Sequence, residues 1–146
     1  MRDWGWLALA FVLGASISVY QPLNAVVARI TGTPLVANVV FFGFAFLTSL
    51  ALTFLFGASS GFSKLGAVRP VQLLPGVASA FMVLGTIALL PRLGARRLFL
   101  LQVAGQILMA MIVGQFGLVE TPQDPLTLRK MLGALLILAG ALVSLA

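Results

Sequence analysis

Five long apolar stretches dominate the sequence and restrict the chain to one kind of fold. They cover approximately residues 6–30, 35–56, 70–91, 98–118 and 126–145. Each stretch reaches the roughly 20 residues that a helix needs to cross a bilayer. Only 8% of the residues are charged, whereas soluble domains average about 25%. We therefore expect an all-α integral membrane protein, in which residues 1–146 form a single transmembrane domain of five helices and no soluble domain.

The composition also argues against several functions. The chain has no cysteine and no histidine, so we expect no metal site built on these ligands and no cofactor. No nucleophile–base pair, cluster of metal ligands or glycine-rich phosphate loop points to catalysis. The net charge of +6 comes from lysines and arginines at the ends of the apolar stretches. Lipid headgroups lie at that level, and a continuous basic patch for nucleic acid is missing.

Polar residues interrupt the first apolar stretch. Pro22 has no N–H for the carbonyl of Ser18, so we expect the first helix to kink at Pro22 and to leave an acceptor free at membrane depth. Gln21 shares a helix face with small residues, and Asn24 lies beside that face. A small, polar face is expected to point toward protein rather than lipid. The two amides predict a ligand site, and packing between helices is a nearly equal alternative.

The fourth stretch offers a matching polar layer. Gln102 and Gln106 lie about one turn apart, and the first and fourth stretches meet the same side of the membrane. From that side, Asn24 lies about 9 Å deep, Gln102 about 7 Å, and Gln21 and Gln106 both about 13 Å. Asn38 in the second stretch adds another amide. We predict that these five residues line one substrate site, and a site without carboxylates suits a neutral or amphiphilic molecule.

Positive charges are distributed almost evenly across the membrane. With five spans, one side carries Arg2, Lys64, Arg69, Arg129 and Lys130, and the other carries Arg29, Arg92, Arg96 and Arg97. A difference of one charge is too small to fix the orientation. We therefore predict dual topology and an antiparallel homodimer of ten helices, with its two-fold axis in the membrane plane. The alternative is a single topology set by details that the count misses. Arg29 faces the headgroups or turns inward, where it would favour an anion.

Two glycines mark one face of the fifth stretch. Gly133 and Gly140 lie seven residues apart, which would let another helix approach closely. We predict that this face packs in the dimer, and packing within one chain is the alternative.

Three segments of the chain resemble a known family. Gln21-Pro-Leu-Asn-Ala25, Leu90-Pro-Arg-Leu-Gly94 and Val103-Ala-Gly-Gln106 are similar to the YdcZ-type family of small bacterial membrane proteins, within the drug/metabolite transporter superfamily. The glycine spacing of the fifth stretch is also similar to the dimer-packing helix of small multidrug resistance exporters. This resemblance implies five-helix subunits, dimers of opposed subunits, the bacterial cytoplasmic membrane and an export role. The acidic residue in the first helix of the multidrug exporters is missing here, so the resemblance does not extend to cation/proton exchange.

Two functions follow from these observations. The leading interpretation is a transporter subunit that exports or exchanges a small neutral or amphiphilic solute as an antiparallel dimer. Its partners are membrane lipid, a second copy of the chain and an unidentified small-molecule substrate. The alternative is a membrane protein that does not transport but binds lipid or assembles with another protein. We expect no proton coupling, because histidine and cysteine are absent and all three acidic residues lie outside the apolar stretches.

Overall fold

The computed structural model describes residues 4–145, and helices account for most of them. Helix α1 covers Trp4–Thr31 and α2 covers Pro34–Leu55. A continuous helical stretch, Leu74–Phe116, contains a non-helical residue at Gly94. We label its two parts α3, residues 74–93, and α4, residues 95–116, and the last helix, Leu128–Leu145, is α5. The chain divides into an N-terminal unit that ends at Arg92 and a C-terminal unit that begins at Leu93.

Four helical stretches are long and apolar enough to cross a membrane, which confirms an all-helical integral membrane protein. They are Trp4–Thr31, Pro34–Leu55, Pro70–Phe116 and Leu128–Leu145. The third has 47 residues, and at 1.5 Å per residue its helical rise would reach about 70 Å, more than twice the roughly 30 Å of a hydrocarbon core. The predicted positions of Arg2 and Asp3 lie outside the described residues.

A two-residue connection joins α1 to α2, as the sequence predicts. Gly32 ends α1 with a φ of 76°, a conformation that glycine adopts without a steric penalty. The hydroxyl of Thr33 then accepts a hydrogen bond from the N–H of Leu35 at 3.3 Å. Pro34 occupies the first helical position, where its missing N–H has no consequence. The two helices therefore form a tight hairpin.

The core of the N-terminal unit lies where α1, α2 and α3 meet. Ala37, Val83 and Ile87 are buried there, and the partly buried side chains packed against them are Val27, Ala28, Phe41 and Phe42. Ala37 is only 1% exposed, since its small side chain allows neighbouring helices to approach. Aromatic packing extends this core, because Tyr20 stacks on Phe41 with ring centroids 5.9 Å apart.

The structure locates the end of the third stretch, which the sequence places between Leu90 and Gly94. Helical geometry continues through Pro91 to residue 93 and breaks at Gly94, where φ is 75° and ψ is 158°. A proline removes one hydrogen bond yet fits the helical φ, whereas the Gly94 conformation lies in a region that is essentially reserved for glycine. Pro22 also lies inside an uninterrupted α1, and its predicted bend stays a prediction.

The long connection after α2 is more regular than its glycines and serines suggest. Residues Ala58–Ala67 and Pro70–Leu73 form 3₁₀ helices, so α3 begins at Leu74 rather than at Pro70. Serine hydroxyls support these turns, as when Ser63 Oγ donates to the carbonyl of Ser60 at 2.7 Å. Phe62 of this segment lies 6.2 Å from Phe54 of α2, measured between ring centroids.

The C-terminal unit consists of α4, a folded loop and α5. Gln115 accepts a hydrogen bond from the N–H of Leu126 at 2.6 Å, and the N–H of Asp124 donates to the carbonyl of Gly114 at 2.8 Å. These bonds hold the loop against the end of α4. Helix α5 begins at Leu128 rather than at Leu126, because the Thr127 hydroxyl accepts from the N–H of Lys130 as a cap.

Candidate functional site

Gln21 is the most deeply buried of the amide side chains predicted for the site. Its side chain projects from α1, one turn before the buried Ala25, and the residue is only 3% exposed. The Oε1 atom is buried and has no hydrogen-bond partner among residues 4–145. No water is available in a hydrocarbon core to satisfy such an atom. Gln21 therefore presents an acceptor that the rest of the described chain does not use.

Asn24 and Asn38 share this property in part. The Nδ2 atom of Asn24 is buried without a partner among the described residues. Asn38, on α2, donates from Nδ2 to the backbone carbonyl of Ala80 in α3 at 3.2 Å, while its Oδ1 is left without a partner in the described part of the chain. Each unsatisfied buried polar group costs about 1–3 kcal/mol. The N-terminal unit thus holds three amides whose hydrogen-bonding capacity is not filled.

A groove opens beside these helices at the end of α1. It has a volume of about 360 Å³, and its lining comes from α1, from the connection to α2 and from the end of α3. The lining residues are Ala25, Ala28, Arg29, Gly32, Pro34, Ile87, Ala88 and Pro91. A second depression of about 250 Å³ shares Ala25, Arg29 and Pro91 with it and extends to Pro22 and Leu90. All of these residues belong to the N-terminal unit.

Arg29 is the one charged residue on the groove wall. It lies in the last turn of α1, where a positive charge interacts favourably with the helix dipole. The residue is exposed at this end of α1 and contributes to the groove wall. The guanidinium group makes no hydrogen bond or ion pair with any residue between 4 and 145. It is therefore available to an anionic partner.

The two glutamines of α4 belong to the C-terminal unit. Gln102 is partly buried and takes part in an interaction, while Gln106 is exposed on the surface of the single chain. Gln21, Asn24 and Asn38 all lie in the other unit. The common site of five amides accordingly stays a prediction.

Thr86 is a polar residue of α3 that the sequence reasoning missed. It is 1% exposed, the most buried polar side chain of the described residues. Its hydroxyl donates to the carbonyl of Met82 at 2.9 Å, which satisfies its proton within its own helix. A threonine in an apolar stretch gives little signal, because this back-bonding lets it occupy almost any helical position.

The predicted glycine face of α5 is open in the single chain. A Cβ atom added at Gly133 or Gly140 would meet no atom within 4 Å. The small residues that are buried in this helix are instead Ala134 and Ala141. Both the dimer contact and the packing within one chain accordingly stay predictions.

The described residues contain no group of three or more potential metal ligands.

The family comparison adds independent information, because a family model described as "Putative inner membrane exporter, YdcZ" matches residues 5–143. The chain belongs to the YdcZ family. Membership places the protein in the inner membrane as a multi-pass protein, in agreement with its apolar helices. The YdcZ description is that of an exporter rather than an enzyme. No curated protein and no solved structure matches the chain.

Proposed function

We propose that the protein is one subunit of an exporter in which two opposed copies enclose an amide-lined site for a small neutral or amphiphilic solute. The observation that carries this proposal is the set of buried, unpartnered amide atoms on Gln21, Asn24 and Asn38. Three such atoms in an apolar membrane protein lower its stability, since each costs about 1–3 kcal/mol. A substrate that hydrogen-bonds to them would account for their presence. Membership of an exporter family supports transport as the role.

The proposal counts five spans, with α3 and α4 crossing the membrane separately. Residues 74–93 and 95–116 rise by about 30 and 33 Å as α-helices, and each length matches the roughly 30 Å hydrocarbon core. Gly94 stands between them with a backbone conformation that interrupts the helix. With five spans the positive charges divide five against four, a count that favours both orientations.

In a dimer of two opposed copies, the C-terminal unit of each chain would contribute to the substrate site and to the contact between the copies. Gln106 is exposed in the single chain, and the face of Gly133 and Gly140 is open. A second copy could cover both surfaces. In this arrangement Gln102 and Gln106 join the amides of the N-terminal unit, near the midplane, where transporters with inverted symmetry bind their substrates.

Release of solute from proteoliposomes tests the proposal. A panel of radiolabelled neutral and amphiphilic solutes is loaded into vesicles with and without the protein. The Gln21→Met variant removes the amide at similar volume. Ser49→Ala is the matched control, because Ser49 lies exposed on α2 and donates only to the carbonyl of Ala45 in its own helix at 2.8 Å. We expect Gln21→Met, but not Ser49→Ala, to slow protein-dependent release by about tenfold or more.

The same measurement distinguishes the alternative of a lipid-binding protein. If no solute of the panel leaves the protein-containing vesicles faster than the protein-free ones, and acyl chains copurify with the protein, the function is lipid binding rather than transport.

A further inference from the structure

We propose that the groove beside Arg29 binds the carboxylate end of a small amphiphile that carries a single negative charge. This inference rests on the proposed function, for which it specifies the class of substrate. The groove walls are apolar apart from Arg29. One cation in an apolar groove matches a ligand with one anionic group and an apolar body, because one guanidinium group pairs with one carboxylate and the apolar walls contact the rest of the ligand.

The state of the guanidinium group supports an anionic ligand. Arg29 is exposed and, like the other arginines among residues 4–145, makes no side-chain hydrogen bond or ion pair within the described chain; unlike them, it lines the groove. A guanidinium group presents a planar fork of donors that matches a carboxylate with two parallel hydrogen bonds. The donors of Arg29 therefore remain available for this geometry.

The position of Arg29 along α1 fits an amphiphile that arrives from the membrane. It lies two residues before the end of the helix at Thr31, which is about 3 Å in height. Its charge is thus at the level of the headgroups. From there the depression follows α1 back to Pro22, seven residues or about 10 Å deeper. A ligand with its carboxylate at Arg29 would place its apolar body along α1, toward the turn that carries Gln21.

The size of the groove favours a small solute over a membrane phospholipid. A volume of about 360 Å³ is near the lower end of the roughly 300–1,000 Å³ typical of small-molecule sites. Each of the two acyl chains of a phospholipid extends about 15 Å, half of a roughly 30 Å core, and would pass beyond a depression about 10 Å long.

Binding to the full chain in nanodiscs of zwitterionic phosphatidylcholine tests the proposal without requiring transport. The probes are phenylbutyrate, phenylbutanol and phenylbutylamine, which share one apolar body and differ in charge. Equilibrium dialysis, corrected with empty nanodiscs, gives their dissociation constants. We expect the wild-type protein to bind phenylbutyrate at least about tenfold more tightly than phenylbutanol, as for a hydrogen bond to a charged group, and phenylbutylamine more weakly than either.

Two variants and a control assign the preference to Arg29. Arg29→Gln should remove the preference for phenylbutyrate, and Arg29→Lys should retain part of it because the charge remains. Arg96→Gln is the matched control, since Arg96 is exposed, lies outside the groove and is predicted on the same side of the membrane as Arg29. It should leave the preference unchanged. Ala88→Phe, which fills the groove and keeps its charge, should weaken all three probes, and it remains informative if Arg29→Gln fails to fold.

Several results would overturn the inference. The first is equal binding of phenylbutyrate and phenylbutanol to the wild type. The second is a loss of the phenylbutyrate preference in Arg96→Gln equal to that in Arg29→Gln. The third is competition by phosphatidylglycerol added at one molecule per protein, which would identify a lipid headgroup as the occupant. The binding and release assays can fail independently, so each tests one proposal. Arg29-dependent binding without any solute release would refute the exporter proposal alone. Release of neutral solutes by a protein that shows no charge preference in binding would refute this inference alone.

Discussion

The buried amide atoms of this protein differ in whether they have a hydrogen-bond partner. Asn38 donates to the carbonyl of Ala80 at 3.2 Å and so connects α2 to α3. Gln21 is buried with an Oε1 atom that has no partner among the described residues. A hydrogen bond between helices stabilises a membrane protein by about 0.6 kcal/mol on average, whereas a buried group without a partner lowers stability. The Nδ2 atom of Asn38 is therefore structural, whereas its Oδ1 atom and the Oε1 atom of Gln21 are available for binding.

Substitution of these two residues should separate the roles. Asn38→Ala is expected to lower the free energy of unfolding by about 0.5–1.5 kcal/mol, because it removes the bond to Ala80. Gln21→Met is expected to leave that free energy unchanged or to raise it, since methionine fills a similar volume without an unsatisfied oxygen. Unfolding in detergent micelles measures both effects. A loss of more than about 1 kcal/mol in Gln21→Met would mean that Gln21 holds helices together.

An amide in an apolar stretch is easily noticed in a sequence, because lipid cannot hydrogen-bond to it. Gln21, Asn24 and Asn38, which were selected on this ground, each have a buried polar atom, and their role in a substrate site stays a prediction. The same reasoning missed Thr86, whose hydroxyl is satisfied by its own helix. It did not determine whether Gln106 joins the others, because that depends on how helices distant in sequence assemble, which no local pattern encodes.

At the scale of secondary structure elements, the break between α3 and α4 depends on one residue. Gly94 has φ 75° and ψ 158°, a conformation that costs other residues about 1–3 kcal/mol. The space around it is open, since a Cβ atom there would meet nothing within 4 Å. The constraint on this position is therefore in the backbone and not in packing.

Alanine substitutions test this constraint against a matched control. Gly94→Ala should lower the free energy of unfolding by about 1–3 kcal/mol. Gly105 also has open space around it but a helical backbone, so Gly105→Ala should have no effect or stabilise by up to about 1 kcal/mol. Thermal unfolding in one detergent compares the two. Equal effects of both substitutions would show that the Gly94 conformation is not required.

The ends of the helices were harder to predict than their existence. Apolar stretches of spanning length reveal the helices because the lipid requires them. The sequence did not decide whether Pro91 or Gly94 ends the third helix, since a proline within a helix and a proline that ends one produce the same local sequence. The 3₁₀ turns of Ala58–Ala67 were also missed, because glycine and serine are compatible with both regular and irregular turns.

At the scale of the whole molecule, the near-equal numbers of positive charges predict that the chain inserts in both orientations. Lys64→Ala with Arg69→Ala should drive most copies one way, and Arg96→Ala with Arg97→Ala should drive them the other way. Accessibility labels on tags at the two termini report the orientation. If neither pair of substitutions changes the ratio of the two orientations, the chain has one fixed topology.

The open glycine face of α5 predicts a contact between copies. Gly140→Leu has space in the single chain, because nothing lies within 4 Å of a Cβ atom at this position. It should therefore weaken the dimer in detergent while leaving the fold of each subunit intact. Gly43→Leu on α2, where the space is equally open, is the control. Chemical cross-linking and size-exclusion chromatography measure the dimer, and an unchanged dimer in Gly140→Leu would exclude this face.

The tight hairpin of α1 and α2 has a consequence for how the protein is made. Only Gly32 and Thr33 separate the two helices, so once α2 has entered the bilayer, neither helix can reverse its direction without the other. Orientation must be chosen while the 22 residues of α2 leave the ribosome. Synthesis at about 5–20 residues per second makes this interval roughly 1–4 s. If the chain inserts in both orientations, as the charge count predicts, the speed of translation through residues 34–55 should act on their ratio without any change in charge.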